Sequence, residues 1–191
     1  MRQIVLDTET TGLNPNNGEA IFLRKLIADP SDTTDGNASF TQIMGDANLI
    51  TVNFNPAADR LRVISNTGQN LRINVDTGAT ITDGTINLAT GTAAVVAGAY
   101  TNAFAGTGST KLYSIDQNSD RIYLQNANAG TLGNSTALGA DINTNGGGGF
   151  DIDPVNNVGF AALKLASVNY KFFKLNLANV GTSSDAVFES H

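Results

Sequence analysis

Two stretches decide the fold: VNFNPAADRLRV, from Val52 to Val63, and FDIDPVNNVGFA, from Phe150 to Ala161. Set one on the other, Asn55-Pro56 matches Asp153-Pro154, and Asp59 matches Asn157. Asn and Asp bond their own backbone two residues on, and Pro cannot continue a central strand, so each stretch reads as strand, Asx turn, strand. A looser copy, IDQNSDRIY, runs from Ile115 to Tyr123. A second element follows each strong copy: NLRINV, from Asn70 to Val75, and FFKLNL, from Phe172 to Leu177. Leu71, Ile73 and Val75 alternate with polar residues, as do Phe173, Leu175 and Leu177, the period of a strand with one buried face. Lys111–Asp116 (KLYSID) resembles this second element. The strong copies begin at 52 and 150, which leaves room for one further unit of about 49 residues between them.

Units of that length with several short strands are the signature of propeller blades. The expected fold is all-β and propeller-like, with about three to four repeated antiparallel blades. Residues 52–185 supply about three units and the first 50 residues at most one more. The chain is therefore a four-bladed ring, an arc completed by a partner copy, or a sandwich of similar hairpins; an incomplete ring would leave strand edges open to pairing. The boundaries are a segment 1–18, a β-repeat domain 19–185 and a tail 186–191. Two stretches fit neither period cleanly, Ala20–Ala28 and the Ala-rich Thr92–Ala99. Both are read as strand.

The composition narrows the chemistry. Of 191 residues, 15% are charged, against about 25% in ordinary soluble domains. Cysteine and tryptophan are absent, and the single histidine is His191. That excludes disulfides, a Cys nucleophile and a Cys/His zinc site, and a Ser-His-Asp triad would have to use the chain end. The net charge of −6 and pI near 4.5 disfavour nucleic acid, since no basic patch exceeds the group Arg60, Arg62 and Arg72. The longest small-apolar run, Ala93–Tyr100, is too short to span a bilayer. The apolar Ile4–Leu6 that follows Met1-Arg2-Gln3 is too short for a signal peptide.

Residues 52–185 resemble the bacterial family called domain of unknown function 4394. The resemblance rests on Asn53–Val63, Asn66–Arg72, Asp76–Gly78, Ala99–Asn102 and Lys111–Asp116, with the run Arg62–Arg72 (RVISNTGQNLR) the most specific. It implies a propeller-like fold and, because the family typically occurs in exported bacterial proteins, an extracellular or cell-surface location. It implies no activity. Residues 2–18 instead resemble the start of the epsilon proofreading exonuclease subunit of bacterial DNA polymerase III. That resemblance implies that Asp7 and Glu9 ligate divalent metals. The family's later His-x-x-x-x-Asp motif has no counterpart here, because the only histidine is His191.

Asp141, Asn143 and Asn145 before Gly146 fit the first half of a calcium loop, with oxygens at alternate positions. The closing bidentate Glu is replaced by Ile152. The acidic trio Asp29, Asp32 and Asp35 has the wrong spacing and reads as a solvated loop. Asp59-Arg60 and Asp120-Arg121 recur at matching repeat positions and read as pairs that order a turn or bridge neighbouring blades rather than as a ligand-binding polar pair. Tyr100, Tyr113, Tyr123 and Tyr170 read as core packing rather than a sugar-binding groove. The functional expectation is a non-catalytic structural or interaction protein of the bacterial exterior, self-assembling through β edges. Its partners are copies of itself or other surface proteins, and it requires no cofactor. The alternatives are a metal-dependent 3′–5′ exonuclease or its remnant, through Asp7 and Glu9, and a calcium-stabilised ligand-binding propeller, through Asp141, Asn143 and Asn145.

Overall fold

The computed structural model describes residues 49–75, 79–144, 146–167, 169–182 and 184, together with the backbone of 187–190. These residues form three antiparallel sheets of four strands each. The first holds β1 (Ile50–Asn55), β2 (Arg60–Ser65), β3 (Asn70–Ile73) and β4 (Thr80–Thr82). The second holds β5 (Val95–Tyr100), β6 (Leu112–Asp116), β7 (Arg121–Gln125) and β8 (Leu132–Ala137). The third holds β9 (Gly148–Ile152), β10 (Val158–Lys164), β11 (Tyr170–Asn176) and β12 (Val187–Ser190). In each sheet the strands neighbour one another in chain order, so each is a meander and each is one blade. The first strands begin at Ile50, Val95 and Gly148, spacings of 45 and 53 residues that bracket the expected 49. The fold is all-β and propeller-like, an arc of three blades among the described residues. The fourth strand of the last blade, β12, lies within residues 186–191.

The repeated turns explain why these strands fold back where they do. The Asn55 side-chain oxygen Oδ1 accepts from the backbone N–H groups of Ala57 at 3.1 Å and Ala58 at 3.0 Å. Asp153 accepts in the same way from Val155 at 3.0 Å, and Asp116 from Ser119 at 2.9 Å. Each turn then closes through a left-handed residue: Asp59 (φ 50°), Asp120 (φ 55°) and Asn157 (φ 51°). Asn and Asp tolerate that region better than other residues with a Cβ. The looser copy, however, joins β6 to β7, the second and third strands of its blade, whereas the strong copies join first to second. Lys111–Asp116 therefore carries β6 and not the counterpart of β3 and β11. Alternation and an Asx turn specify a hairpin; they carry no information about its rank within a sheet.

The blades stack through their faces, with β5 packed between β1 and β9. Between the first and second blades Ile64, Val95, Tyr100, Leu112, Tyr123 and Leu132 form one buried layer. Between the second and third, Ile115, Ile122, Ile152, Leu163, Phe173 and Leu175 form another. Burying one such side chain is worth about 1.5–3 kcal/mol. Every residue of β5 is buried, which is why Thr92–Ala99 lacks alternation: a strand covered on both sides has no polar face. The backbone edge of β5 is not left bare. Thr51 Oγ1 accepts from the Gly98 N–H at 2.9 Å and donates to its carbonyl at 3.3 Å, and Asn53 Oδ1 accepts from the Tyr100 N–H at 3.1 Å. Alternate side chains of one blade's first strand thus satisfy the edge of the next.

Candidate functional site

The specific run Arg62–Arg72 builds a buried polar clamp between the first two blades. Register places Arg62 opposite Arg72 on β2 and β3, and Ile64 opposite Asn70. Arg62, 2% exposed, donates from Nε to the Tyr100 hydroxyl at 3.1 Å and from one terminal nitrogen to Asn70 Oδ1 at 2.8 Å and Asp83 at 2.7 Å. Its other terminal nitrogen reaches Asn128 at 3.3 Å. Arg72 holds the second Asp83 oxygen at 3.0 Å, and the Asn70 amide donates to the carbonyls of Gly84 and Ala127. The Asp83 side chain is 6% exposed, so both partners of the central ion pair are out of water. A buried pair is tolerated when its remaining hydrogen-bonding capacity is met, and here second-blade residues meet much of it. The clamp orders two blades rather than offering a charge to a ligand.

Beside it lies an open groove of about 590 Å³ at the ends of β1, β5, β6 and β7. Tyr100, Leu112 and Leu124 give it apolar wall, and Asn55, Lys111, Gln125, Asn126, Thr131 and Asn134 give it polar wall. Among the described residues, no Asp or Glu lines it. Sequence reasoning missed this groove, because its residues come from two blades and carry no common motif.

The third surface is the outer face of the last blade. In the alignment of the repeats, Thr51, Asn53, Arg62, Ile64, Asn70 and Arg72 correspond to Gly149, Asp151, Phe160, Ala162, Phe172 and Lys174. The first set faces the second blade. The equivalent positions on the third blade include Phe160, 37% exposed, and Phe172, 47% exposed. Their rings stack with centroids 5.9 Å apart and planes at 23°. At the far end of this face Lys164 lies over the exposed Tyr170 ring, its Nζ 5.8 Å from the centroid, and donates to Asn169 at 3.1 Å.

The sequence-predicted metal residues are only partly within reach of description. Asp141 is exposed; its carbonyl accepts from Ala166 N–H at 2.9 Å. Asn143 N–H donates to the Lys164 carbonyl at 2.9 Å, and Asn143 in turn accepts from Gly146 at 3.0 Å. The backbone of this loop is thus tied to the end of β10. Asn145, Asp7, Glu9, Asp29, Asp32 and Asp35 lie outside the described residues. Among the described residues, no group of three or more His, Cys, Asp or Glu is placed to hold a metal ion. Of the recurring Asp-Arg pairs, the first orders its turn, Arg60 donating to the Asp59 carbonyl at 2.7 Å, whereas the second bonds at long range: the Asp120 carboxylate accepts from Ile142 N–H at 2.7 Å and Arg121 donates to the Ser135 hydroxyl on β8 at 2.8 Å. Tyr100, Tyr113 and Tyr123 are buried and Tyr170 is exposed; burial pushes the Tyr113 phenol above its ordinary range.

Three meander blades stacked face to face, the first two joined by a polar clamp, define a repeat-built, propeller-like β protein. The chain belongs to the family described as Domain of unknown function (DUF4394), whose model matches residues 12–190. The exonuclease resemblance of residues 2–18 is not shown. A comparison with curated proteins finds no match. Among the described residues, no helix is long and apolar enough to cross a membrane.

Proposed function

We propose that this protein is a non-catalytic structural or interaction protein of the bacterial exterior, and that it associates with copies of itself through the outer face of its last blade. The observation that carries the reading is the exposed Phe160–Phe172 stack, at positions that in the first blade dock the blade that follows. The face also complements itself. Asp151 stands opposite Phe160, and Lys164 lies four residues further along β10, about 13 Å away. A two-fold axis near Ala162 sets Asp151 of each copy against Lys164 of the other and buries the aromatic stack between them, the arrangement of an isologous dimer. The family's usual occurrence in exported proteins supports the location.

Sedimentation velocity over a dilution series tests the reading. The expected result is concentration-dependent association that Phe160→Ser with Phe172→Ser abolishes without lowering the melting temperature. Asp151→Lys is expected to weaken it, and adding Lys164→Asp to restore it. A wild-type chain that stays a monomer at its highest soluble concentration, or an association indifferent to these changes, overturns it.

A further inference from the structure

We infer that the groove between the first two blades binds an acidic saccharide through its carboxylate, a role that goes beyond self-association and uses a different surface. The argument begins with what the lining amides have already spent. Asn55 Oδ1 accepts from Ala57 and Ala58, and Asn126 Oδ1 accepts from Ala129 at 3.1 Å. These Asx turns fix the orientation of both amides, because only the oxygen can accept from a backbone N–H. Each therefore keeps its NH2 group for something else. Gln125, 4% exposed, repeats the pattern: its Oε1 takes the Ser114 hydroxyl at 2.6 Å, while its Nε2 is buried with no hydrogen-bond partner among the described residues. A buried donor left unmade is costly enough to mark a place where an acceptor belongs. Lys111 adds the one charged group of the lining among the described residues.

Among the described residues, the wall is thus rich in donors, carries one cation and holds no carboxylate. A ligand that complements it supplies acceptors and a negative charge. Charge-assisted hydrogen bonds from amide and ammonium groups to a carboxylate are stronger than neutral ones. The hydroxyl of Thr131 and the amide of Asn134 can both give and take, as sugar hydroxyls require. The partly exposed Leu124 gives apolar wall for a ring face. The volume falls within the range of small-ligand sites.

The repeat itself supplies the decisive variants. Asp153 holds in the third blade the turn position that Asn55 holds in the first, and Asp116 caps another turn in the second. Asn55→Asp and Asn126→Asp therefore keep their turns while replacing an outward NH2 by an anionic oxygen. The test is isothermal titration of the full chain with trigalacturonate, a neutral galactose trisaccharide and a tripeptide with a free C-terminus. Binding of trigalacturonate, weakened about tenfold or more by Asn55→Asp or Asn126→Asp at unchanged melting temperature, is expected, the loss of one hydrogen bond to a charged group. Lys111→Ala is expected to flatten its salt dependence. The inference is overturned by no binding of trigalacturonate, by equal binding of the neutral trisaccharide, by binding of the tripeptide alone, or by binding that ignores the Asn→Asp changes.

Discussion

Arg62 and Asp83 form an ion pair of 2.7 Å across 21 residues of sequence, with both side chains buried at the seam of the first two blades. Removing Asp83 strands the buried Arg62 guanidinium, whereas removing Arg62 leaves Asp83 paired with Arg72. Asp83→Ala is expected to destabilise the chain by about 3–5 kcal/mol, whereas replacing both Arg62 and Asp83 by apolar residues of similar size costs less than Asp83→Ala alone. Urea denaturation of the two single variants and the double variant measures the coupling.

Two glycines let the same seam close. A Cβ on Gly84 would stand 2.4 Å from the Ala129 carbonyl oxygen, and one on Gly130 would stand 2.2 Å from that of Gly84. Both clashes are with backbone, which cannot swing aside. Gly84→Ala is expected to cost at least the 1–3 kcal/mol typical of overpacking. Gly91 has φ of +88° but nothing within 4 Å, so Gly91→Ala carries only the backbone penalty, about 1 kcal/mol. Thermal melts of the two variants are expected to fall in that order.

Asn157 turns the β9–β10 hairpin and also bonds across to the second blade: its Oδ1 accepts from Asn102 N–H at 3.1 Å, and its amide donates to Asn102 Oδ1 at 2.9 Å. Asp59, in the matching turn, is exposed. Replacing each by Gly preserves the left-handed turn. Asn157→Gly is expected to lose about 1–3 kcal/mol, the worth of two hydrogen bonds, and Asp59→Gly to lie within about 0.5 kcal/mol of wild type. Equal losses in denaturation would contradict the inter-blade role.

The Asp153 carboxyl is held below the ordinary aspartate range, chiefly by the Val155 backbone N–H and further by Asn156. Its folded value is depressed, so its contribution is complete above the ordinary range and is lost as pH falls through the folded value. Carbon-detected NMR is expected to place its titration below that of an unstructured aspartate. Asp153→Asn, which keeps the accepting oxygen, is expected to remove this part of the acid dependence of stability.

Much of the fold was legible because its information is local. Asn55-Pro56 and Asp153-Pro154 marked two hairpins whose turns close at Asp59 and Asn157, and the alternation at Leu71, Ile73, Phe173 and Leu175 marked their buried faces. Rank within a blade was not local, so Lys111–Asp116 read as a later strand than it is. The clamp was half visible. Arg62 and Arg72 stood out as a dense basic group inside the most specific run, but Asp83 joins them only through the pairing of β3 with β4, and Tyr100 and Asn128 only through the docking of blades. The groove was invisible for the same reason: Asn55 and Asn126 each look like an ordinary turn residue until the second blade sets them along one wall.

The two seams are made of different chemistry, one around the Arg62 guanidinium and one around Phe173 and Leu175. A blade duplicated or moved to the wrong slot would force that guanidinium against hydrocarbon, without the Tyr100 and Asn128 oxygens that the second blade supplies to it. The order of the blades is therefore written into their interfaces as an address, and this repeat protein cannot be lengthened by copying one of its units without rewriting the face it would meet.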